Sequence, residues 1–224
     1  MSELVESVEQ LRHLARDRAL RGHTYRGLQL AGLRLERGDF AGATFERVSF
    51  GSAELDGVDL SQVTFKQVDL RRAQLHGALL ARAQVSDSDL TEVSLDRALL
   101  EDLQLERTQA GNLGLEGAKL SGCRFIECRL AKARMSRAVL IRCAFSDPAP
   151  NGAADLMNVR FDGAVLIDCD FRGASLIGAD FTGALVVRSD FRGAMLTRAN
   201  VEGARFVGCE LAGADLPDGL RRTG

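Results

Sequence analysis

The chain has 224 residues, of which 46% are hydrophobic and 27% charged, and its formal net charge is −2. The hydrophobic content is sufficient for a sizeable core, and the length is compatible with one elongated domain or two small ones. The near-neutral charge provides no overall basic footprint, and no apolar run reaches the roughly 18 residues of a membrane span. We therefore expect neither direct nucleic-acid binding nor membrane association.

The first residues and the cysteines indicate the cellular compartment. Glu3 and Glu6 lie where a signal peptide would carry basic side chains. The five cysteines are odd in number and form no CxxC pair, which is typical of a reducing compartment. We expect a cytoplasmic protein with free thiols.

Residues 1–20 precede the repetitive part of the chain. Ser2 is a candidate N-cap. An apolar stripe follows at helical spacing: Leu4, Val8, Leu11 and Leu14 or Ala15. This pattern predicts a helix through about Ala19 that caps the N-terminal end of the fold, where strand edges would otherwise be unpaired. A partner-binding helix is the alternative interpretation.

Residues 21–145 follow a five-residue period. Every fifth residue from Tyr25 to Phe145 is apolar, and the residue two before such a centre is mostly small. Sixteen of the 23 glycines lie two residues after a centre. This period fits neither a helix nor a strand, so the chain must turn once per repeat, with the centre and the small residue pointing inward. Four repeats then close a square coil of parallel β-structure, and glycine serves the corners.

Residues 146–155 interrupt the period. Pro148 and Pro150 cannot donate to a β-ladder and, together with Asn151, predict a loop that leaves the wall. The loop is either a tolerated excursion or a partner contact. If it adds six residues to one ordinary repeat, the faces before and after it stay aligned, whereas an eleven-residue loop would offset them by one corner.

The period resumes at Leu156 and continues to Leu216, so that residues 156–216 form a second repeat segment. All eleven phenylalanines of the chain are centres of one segment or the other. Residues 217–224 form a short, polar tail, which is unsuited to a helix that could hold a dimer together.

Three stretches of the second segment show the repeat in its most regular form. These are Ala179-Asp180-Phe181-Thr182-Gly183, Ala199-Asn200-Val201-Glu202-Gly203 and Ala214-Asp215-Leu216. They resemble the A-[D/N]-[L/F]-x-x motif of the pentapeptide-repeat protein family, and the resemblance covers about residues 20 to 216. It implies an all-β solenoid, a right-handed quadrilateral (square) parallel β-helix, here with an N-terminal capping α-helix and one inserted loop.

The resemblance does not imply one function. Members of the family include topoisomerase-protecting proteins that resemble DNA in shape and charge, signalling modules and components linked to secretion systems. In the topoisomerase-protecting members, outward loops are implicated in activity, and dimers commonly form through the C-terminal ends.

No group of residues predicts an active site, a metal site or a cofactor. His13 lies in the predicted helix, and His23 and His76 lie on separate repeats without ligand spacing, so we expect surface or cap residues. Every cysteine occupies the small inward slot, where a thiol among aliphatic side chains is unreactive. The cysteines are Cys123, Cys128, Cys143, Cys169 and Cys209.

Charge is unevenly distributed along the repeats. Residues 87–106 contain seven acids against one base, and residues 119–142 contain seven bases against one acid. The two belts either compensate one another or form a docking surface, for which Arg129, Lys132 and Arg134 are the candidate residues. The basic belt interrupts every face and thus disfavours a DNA mimic.

One face carries apolar residues in slots that should point to solvent. They are Leu79, Leu99, Val139, Ile141, Val165, Ile167, Leu185, Val187 and Val207, and we call them the stripe. Contiguous exposed apolar surface usually marks an interface, which predicts side-by-side homodimerisation or a partner laid along this face. Alternatively, these side chains only shield the wall.

These observations predict a non-catalytic protein–protein interaction or scaffold module that binds through the stripe, the charged belts and the loop. The partner is another protein of unknown identity. The alternative is a DNA-mimicking protein that binds a type II topoisomerase such as gyrase and protects it from quinolone-like inhibitors.

Overall fold

The computed structural model describes residues 3–17, 19–146, 153–217 and 220. The chain forms a parallel β-solenoid of about 10 turns with a single short helix in the described part, which confirms the predicted fold class. The centre of each repeat and the small residue two before it point into one continuous core. Both inward slots follow from the five-residue period.

Short parallel strands line two of the four faces. One face carries a seven-stranded sheet in the order β1-β2-β3-β4-β5-β7-β9. Its strands are β1 (Leu4–Val5), β2 (Thr24–Arg26), β3 (Thr44–Glu46), β4 (Thr64–Lys66), β5 (Gln84–Ser86), β7 (Gln104–Glu106) and β9 (Arg124–Ile126). Pairing runs with a shift of twenty residues, as in Phe45 with Phe65.

A second face carries a six-stranded sheet in the order β13-β12-β11-β10-β8-β6. Its strands are β6 (Leu99–Glu101), β8 (Lys119–Ser121), β10 (Val139–Ile141), β11 (Val165–Ile167), β12 (Leu185–Val187) and β13 (Arg205–Val207). We call this the stripe face, because the stripe residues lie on it. Isolated bridges between successive coils continue the parallel pairing on the other faces.

Aromatic rings stack along the core. Phe125, Phe145, Phe171 and Phe191 form one ladder with ring centroids 4.7 to 4.9 Å apart and nearly parallel planes. Such a ladder buries large apolar areas and adds ring–ring contacts beyond them. It holds together the coils on both sides of residues 146–155.

The corners of the coil require a left-handed backbone. Sixteen glycines two residues after a centre have positive φ, for example Gly183 at 64°. Non-glycine residues at the same corner slot adopt this conformation too, as Arg137 does at 57°. Glycine is favoured there because other L-residues pay a conformational cost in this region.

The N-terminus differs from the prediction. The helix α1 runs from Val8 to Arg16, and Ser7, not Ser2, caps it by accepting a hydrogen bond from the backbone of Gln10. Leu4 was wrongly assigned to the apolar helix stripe, because it lies in β1, which pairs with β2 and extends the sheet by one strand. Leu11 is buried against the core.

The helix packs on the first coil at the N-terminal end, as predicted for a cap. Val8, Leu14 and Ala15 pack against the core beside Leu11. Within the described residues, no helix is long and apolar enough to cross a membrane.

The insertion leaves the coil at one corner and returns to it. Ala154 N–H donates to the carbonyl of Phe145 at 2.8 Å, as Ala133 N–H donates to Leu130 at 2.9 Å. The donor and acceptor of this hydrogen bond are nine residues apart here and three residues apart in an ordinary repeat. The insertion therefore adds six residues. Asp155 already pairs with Arg129 and Ser175 in the wall.

Candidate partner-binding face

The stripe is continuous across the insertion. Strand β10 pairs with β11 so that Val139 opposes Val165 and Ile141 opposes Ile167. The same two columns continue into β12, where Leu185 and Val187 follow. The six-residue interpretation of the insertion is therefore correct, and the two halves of the stripe share one face.

Side chains of the stripe are exposed to different degrees. Leu79 is 38% exposed, Leu99 47% and Val207 45%. The six residues from Val139 to Val187 are partly buried because they lie side by side on the wall. Lys119 and Ser121 separate Leu99 from this group, and Arg205 follows Leu185 in its column. The apolar patch is thus densest on β10, β11 and β12, and Val207 on β13 continues one of its two columns.

Basic residues border the stripe. Arg137 lies at the corner before Val139 and Arg142 at the corner after Ile141. The aliphatic part of the Arg137 side chain lies against Gly163 of the following coil, because a Cβ added to Gly163 would be 3.5 Å from Arg137 Cγ. Within the described ranges no ion pair with a carboxylate forms at Lys119, Arg137, Arg142 or Arg205, and all four are exposed. We call these four residues the cationic rim.

The two charged belts do not compensate one another. The acidic belt pairs with arginines of its neighbouring coils instead, in the pairs Glu92–Arg72 and Asp87–Arg107, both at 2.8 Å. Glu106 also pairs with Arg107. The hydrogen bond from Arg107 holds the pKa of the Asp87 carboxyl below its usual range.

The basic belt keeps most of its charge free. Of its seven bases, only Arg134 forms an ion pair in the described part of the chain, with Nε 3.9 Å from Glu116 Oε1. Arg142 forms none, but its charge, after the hydrogen bond from Arg188, helps to lower the pKa of the Asp168 carboxyl. Arg129 and Lys132 are exposed on the face opposite the stripe, and Arg134 is half-buried on the face between. The three candidate residues therefore do not form one cluster with the stripe, although Arg137 and Arg142 of the same belt border it.

Many aspartates are individually neutralised by an arginine. Arg71 Nη2 donates to Asp69 at 2.7 Å, and Arg192 Nη2 donates to Asp190 at 2.6 Å. In each pair, the guanidinium hydrogen bond holds the pKa of the carboxyl below its usual range. These carboxylates consequently present little free negative charge to a partner.

The histidines have structural partners. His23 is buried, and its Nδ1 accepts a hydrogen bond from the Glu3 N–H at 3.0 Å, which fastens β1 to the first coil. His76 Nδ1 lies 2.9 Å from Asp56. Within the described residues, no group of three or more His, Cys, Asp or Glu could hold a metal ion.

All five cysteines are free thiols, and four of them are fully buried. Burial raises the pKa of the Cys128 thiol to about 12. Cys209 lies on the last coil and is only partly buried. Thiolate chemistry at neutral pH is therefore suppressed at Cys128.

Pro148, Pro150 and Asn151, the candidate contact residues of the loop, lie outside the described residues. Ser146, at the start of the insertion, donates to Asp170 at 2.6 Å and so remains attached to the wall.

A second apolar group escaped the sequence analysis. Met157 is 38% exposed and Met195 42%, and both lie with Ile177 on the face opposite the stripe. The signal was the same as for the stripe, an apolar residue in an outward slot. This group is smaller and provides a natural control surface.

The described coils, their two inward slots and their corner residues define a repeat solenoid, a fold class used by interaction modules. Residues 69–102, 115–147, 154–193 and 187–218 match the family Pentapeptide repeats (8 copies), and residues 32–74 match Pentapeptide repeats (9 copies). The chain belongs to the pentapeptide-repeat family. Proteins of this family generally act as non-catalytic scaffold or interaction modules.

Solved structures with the same fold include QnrB1, a plasmid-mediated fluoroquinolone resistance protein. A trypsin-treated variant of QnrB1 is 20% identical, with a TM-score of 0.55 over 89% of this chain and 94% of that one. Full-length QnrB1 gives the same identity and TM-score over 87% of each chain. This likeness shows the fold.

HetL, a pentapeptide-repeat protein involved in heterocyst differentiation regulation in the cyanobacterium Nostoc sp. strain PCC 7120, is 27% identical. It covers 96% of this chain and 98% of its own, with a TM-score of 0.41. A search of the curated proteins found no match.

Proposed function

We propose that this protein is a non-catalytic interaction module that binds another protein through the stripe face. The observation that carries the proposal is the alignment of Val139 with Val165 and of Ile141 with Ile167 across the insertion. A shift by one corner would have divided the apolar patch between two faces. A contiguous apolar patch in outward slots supports an interface at this face.

The wall itself does not need apolar residues in these slots. On the seven-stranded face the outward residues of β2, β3 and β4 are polar, such as Thr44 and Glu46 in β3, and their coils pair in the same register. The hydrophobic core is complete without the stripe, since the inward centres Leu140, Leu166 and Val186 are fully buried. The stripe is therefore surplus to folding and available to a partner.

The test replaces Ile167, Leu185 and Val187 together with Ser and measures capture of proteins from a lysate of the source organism. We expect a folded variant that loses the partner retained by the wild type, or a lower mass in light scattering if the partner is a second copy. A matched variant carries Ser at Met157, Ile177 and Met195 on the opposite face and should behave like the wild type. If the variant with Ser at Ile167, Leu185 and Val187 keeps both its captured partner and its mass, the stripe has no role in binding and only covers the wall of the solenoid.

The basic belt contributes to the proposed function through its free charge. Arg129, Lys132 and Arg134 lie on other faces than the stripe, so their reversal to Glu should weaken partner capture only by removing long-range attraction. The effect should appear at low salt and vanish at higher salt, because exposed charges are screened beyond about 10 Å at 0.1 M salt. Stability should stay almost unchanged, since only Arg134 of the three forms an ion pair in the described residues, at 3.9 Å. Capture that is insensitive to both the reversal and salt would exclude this role.

A second candidate function is binding of a type II topoisomerase as a DNA mimic. It is favoured by the fold likeness to QnrB1, whose described role is fluoroquinolone resistance. It is disfavoured by the arginines that neutralise Asp69 and Asp190, because a mimic needs free negative charge along a face. A gyrase supercoiling assay with and without a fluoroquinolone tests it, and protection by this protein would establish the second candidate.

A further inference from the structure

The stripe face excludes a partner that binds by adding a β-strand. The backbone N–H groups of Val165 and Leu185 donate to the preceding coil, to Ala138 and Ala164, at 2.9 Å each. Strand addition needs free backbone groups at a sheet edge, and on a solenoid these occur only at its two ends. A partner on this face must therefore interact through side chains.

The dense part of the stripe would supply only a small part of the interface of a stable dimer of two walls. Four coils, from Val139 to Val207, span about 14 Å between their first and last strands, or about 19 Å with side chains. Two columns of side chains give a width of about 10 Å, and so an apolar area of about 200 Å². Stable interfaces bury about 800 Å² per partner.

These dimensions fit a single helix laid along the face. An α-helix is about 10 Å wide and rises 1.5 Å per residue, so about 13 residues cover 19 Å. Helices that dock in this manner use apolar residues at i, i+3, i+4 and i+7.

The cationic rim specifies the charge of such a helix. Arg137 and Arg142 lie at the two edges of β10, and Lys119 and Arg205 lie at the two ends of one column of the dense patch. All four are exposed and form no ion pair within the described residues. On the same edge as Arg142, Asp168 is already paired with Arg188 at 2.8 Å. Acidic residues flanking the apolar side of a helix would complement this rim.

We propose that the stripe face binds an acidic amphipathic helix of a partner protein. This inference rests on the proposed function, because it names the class of partner for the same face. The apolar side of the helix covers Val139 to Val207, and its acidic flanks meet the cationic rim.

The test uses three synthetic, helix-stapled peptides of equal length with a fluorescent label. The first has leucines along one side and Glu on both flanks, the second has Lys in place of Glu, and the third has the first composition with the leucines dispersed around the helix. Fluorescence anisotropy with the full chain should show binding of the first peptide at least roughly tenfold tighter than that of either control. Raising the salt concentration should weaken binding of the first peptide and should not strengthen binding of the second.

Protein variants locate the binding. Ile167→Thr with Val187→Thr keeps the β-branched shape that strands favour and should weaken the acidic peptide about tenfold. Arg137→Glu with Arg142→Glu should reverse the preference toward the basic peptide. Met157→Ser with Met195→Ser, on the opposite face, should leave the affinity unchanged. Circular dichroism and thermal melting verify the fold of each variant.

Equal binding of the acidic and basic peptides, equal binding of the dispersed peptide, or no binding at all would overturn the inference. A native mass in light scattering that falls in the Ile167→Thr, Val187→Thr variant would also overturn it, in favour of a second copy of the chain. The proposed function fails separately, when the triple Ser variant of the stripe keeps its captured partner. Loss of that partner without peptide binding leaves the proposed function intact and rejects only the acidic helix.

Discussion

Replacement of Phe171 by Ala should strongly destabilise the solenoid. The ring is fully buried and stacks between Phe145 at 4.8 Å and Phe191 at 4.9 Å. At about 25 cal/mol per Å², loss of roughly 150 Å² of buried ring surface costs about 4 kcal/mol, and the two lost ring contacts add about 1 kcal/mol. We expect a total near 5 kcal/mol, at the upper end of Phe→Ala substitutions in protein cores.

The same substitution at Phe206 is the matched control. Phe206 lies on the last coil, is only partly buried, and meets Phe181 and Phe191 edge-on at 5.7 Å. Terminal repeats also have only one neighbouring coil. Phe206→Ala should therefore cost about 2 kcal/mol.

Urea unfolding followed by circular dichroism measures both changes. With a slope of about 3 kcal/mol per M urea, the midpoint should fall by about 2 M for Phe171→Ala and by less than 1 M for Phe206→Ala. Equal shifts of the urea midpoint, or a larger shift for Phe206→Ala, would refute the idea that the buried aromatic ladder stabilises the central coils more than the last one.

Three further predictions concern corners, thiols and acid stability. Gly183→Ala should lower the free energy of unfolding by about 1 kcal/mol, because φ is 64° there although the site has space for a methyl group. Gly111 has no positive φ, so Gly111→Ala should be neutral or slightly stabilising in the same urea unfolding experiment. In the native protein a thiol reagent should react with one thiol, that of Cys209, and four more should react on unfolding. Rapid reaction of a native Cys209→Ser variant would contradict the burial of the other four thiols. The pKa of Asp190 is lowered by its hydrogen bond from Arg192, so its contribution to stability is present above about pH 4 and is lost as the pH falls through the folded-state pKa. Asp190→Asn should therefore be less stable than wild type at neutral pH and equal to it in acid, and a constant difference between the two across pH would contradict this.

The five-residue period determined most of the fold. It placed Phe145 and Phe171 in one ladder and the cysteines in the small inward slot, because each repeat contributes the same two inward side chains. The same twenty-residue coil, with six residues assigned to the insertion, also predicted that the stripe residues before and after the insertion share one face.

The N-terminal segment could not be predicted in the same way. The spacing of Leu4, Val8 and Leu11 is compatible with a longer helix, and local propensity alone does not place its start. Pairing of β1 with the open edge of β2, and the bond from Glu3 to His23, take Leu4 into a strand instead. Tertiary pairing overrides local pattern here.

Ion pairing was predicted incompletely for a related reason. The blocks of charge along the chain are compatible with mutual compensation of the acidic and basic belts or with a docking surface. In the folded protein, partners such as Asp87 with Arg107 and Asp168 with Arg188 are separated by one coil of twenty residues. The four residues of the cationic rim are among the bases that form no ion pair within the described residues.

The hydrogen bond between Ala154 and Phe145 makes this corner a position where extra residues leave the register of the wall intact. It closes the corner at 2.8 Å with six residues more than an ordinary repeat, and the coils on either side keep their register. Extra residues within a face would instead rotate every later repeat to a different side. Residues added at this corner therefore leave the two outward columns of the stripe face in register on both sides of the insertion.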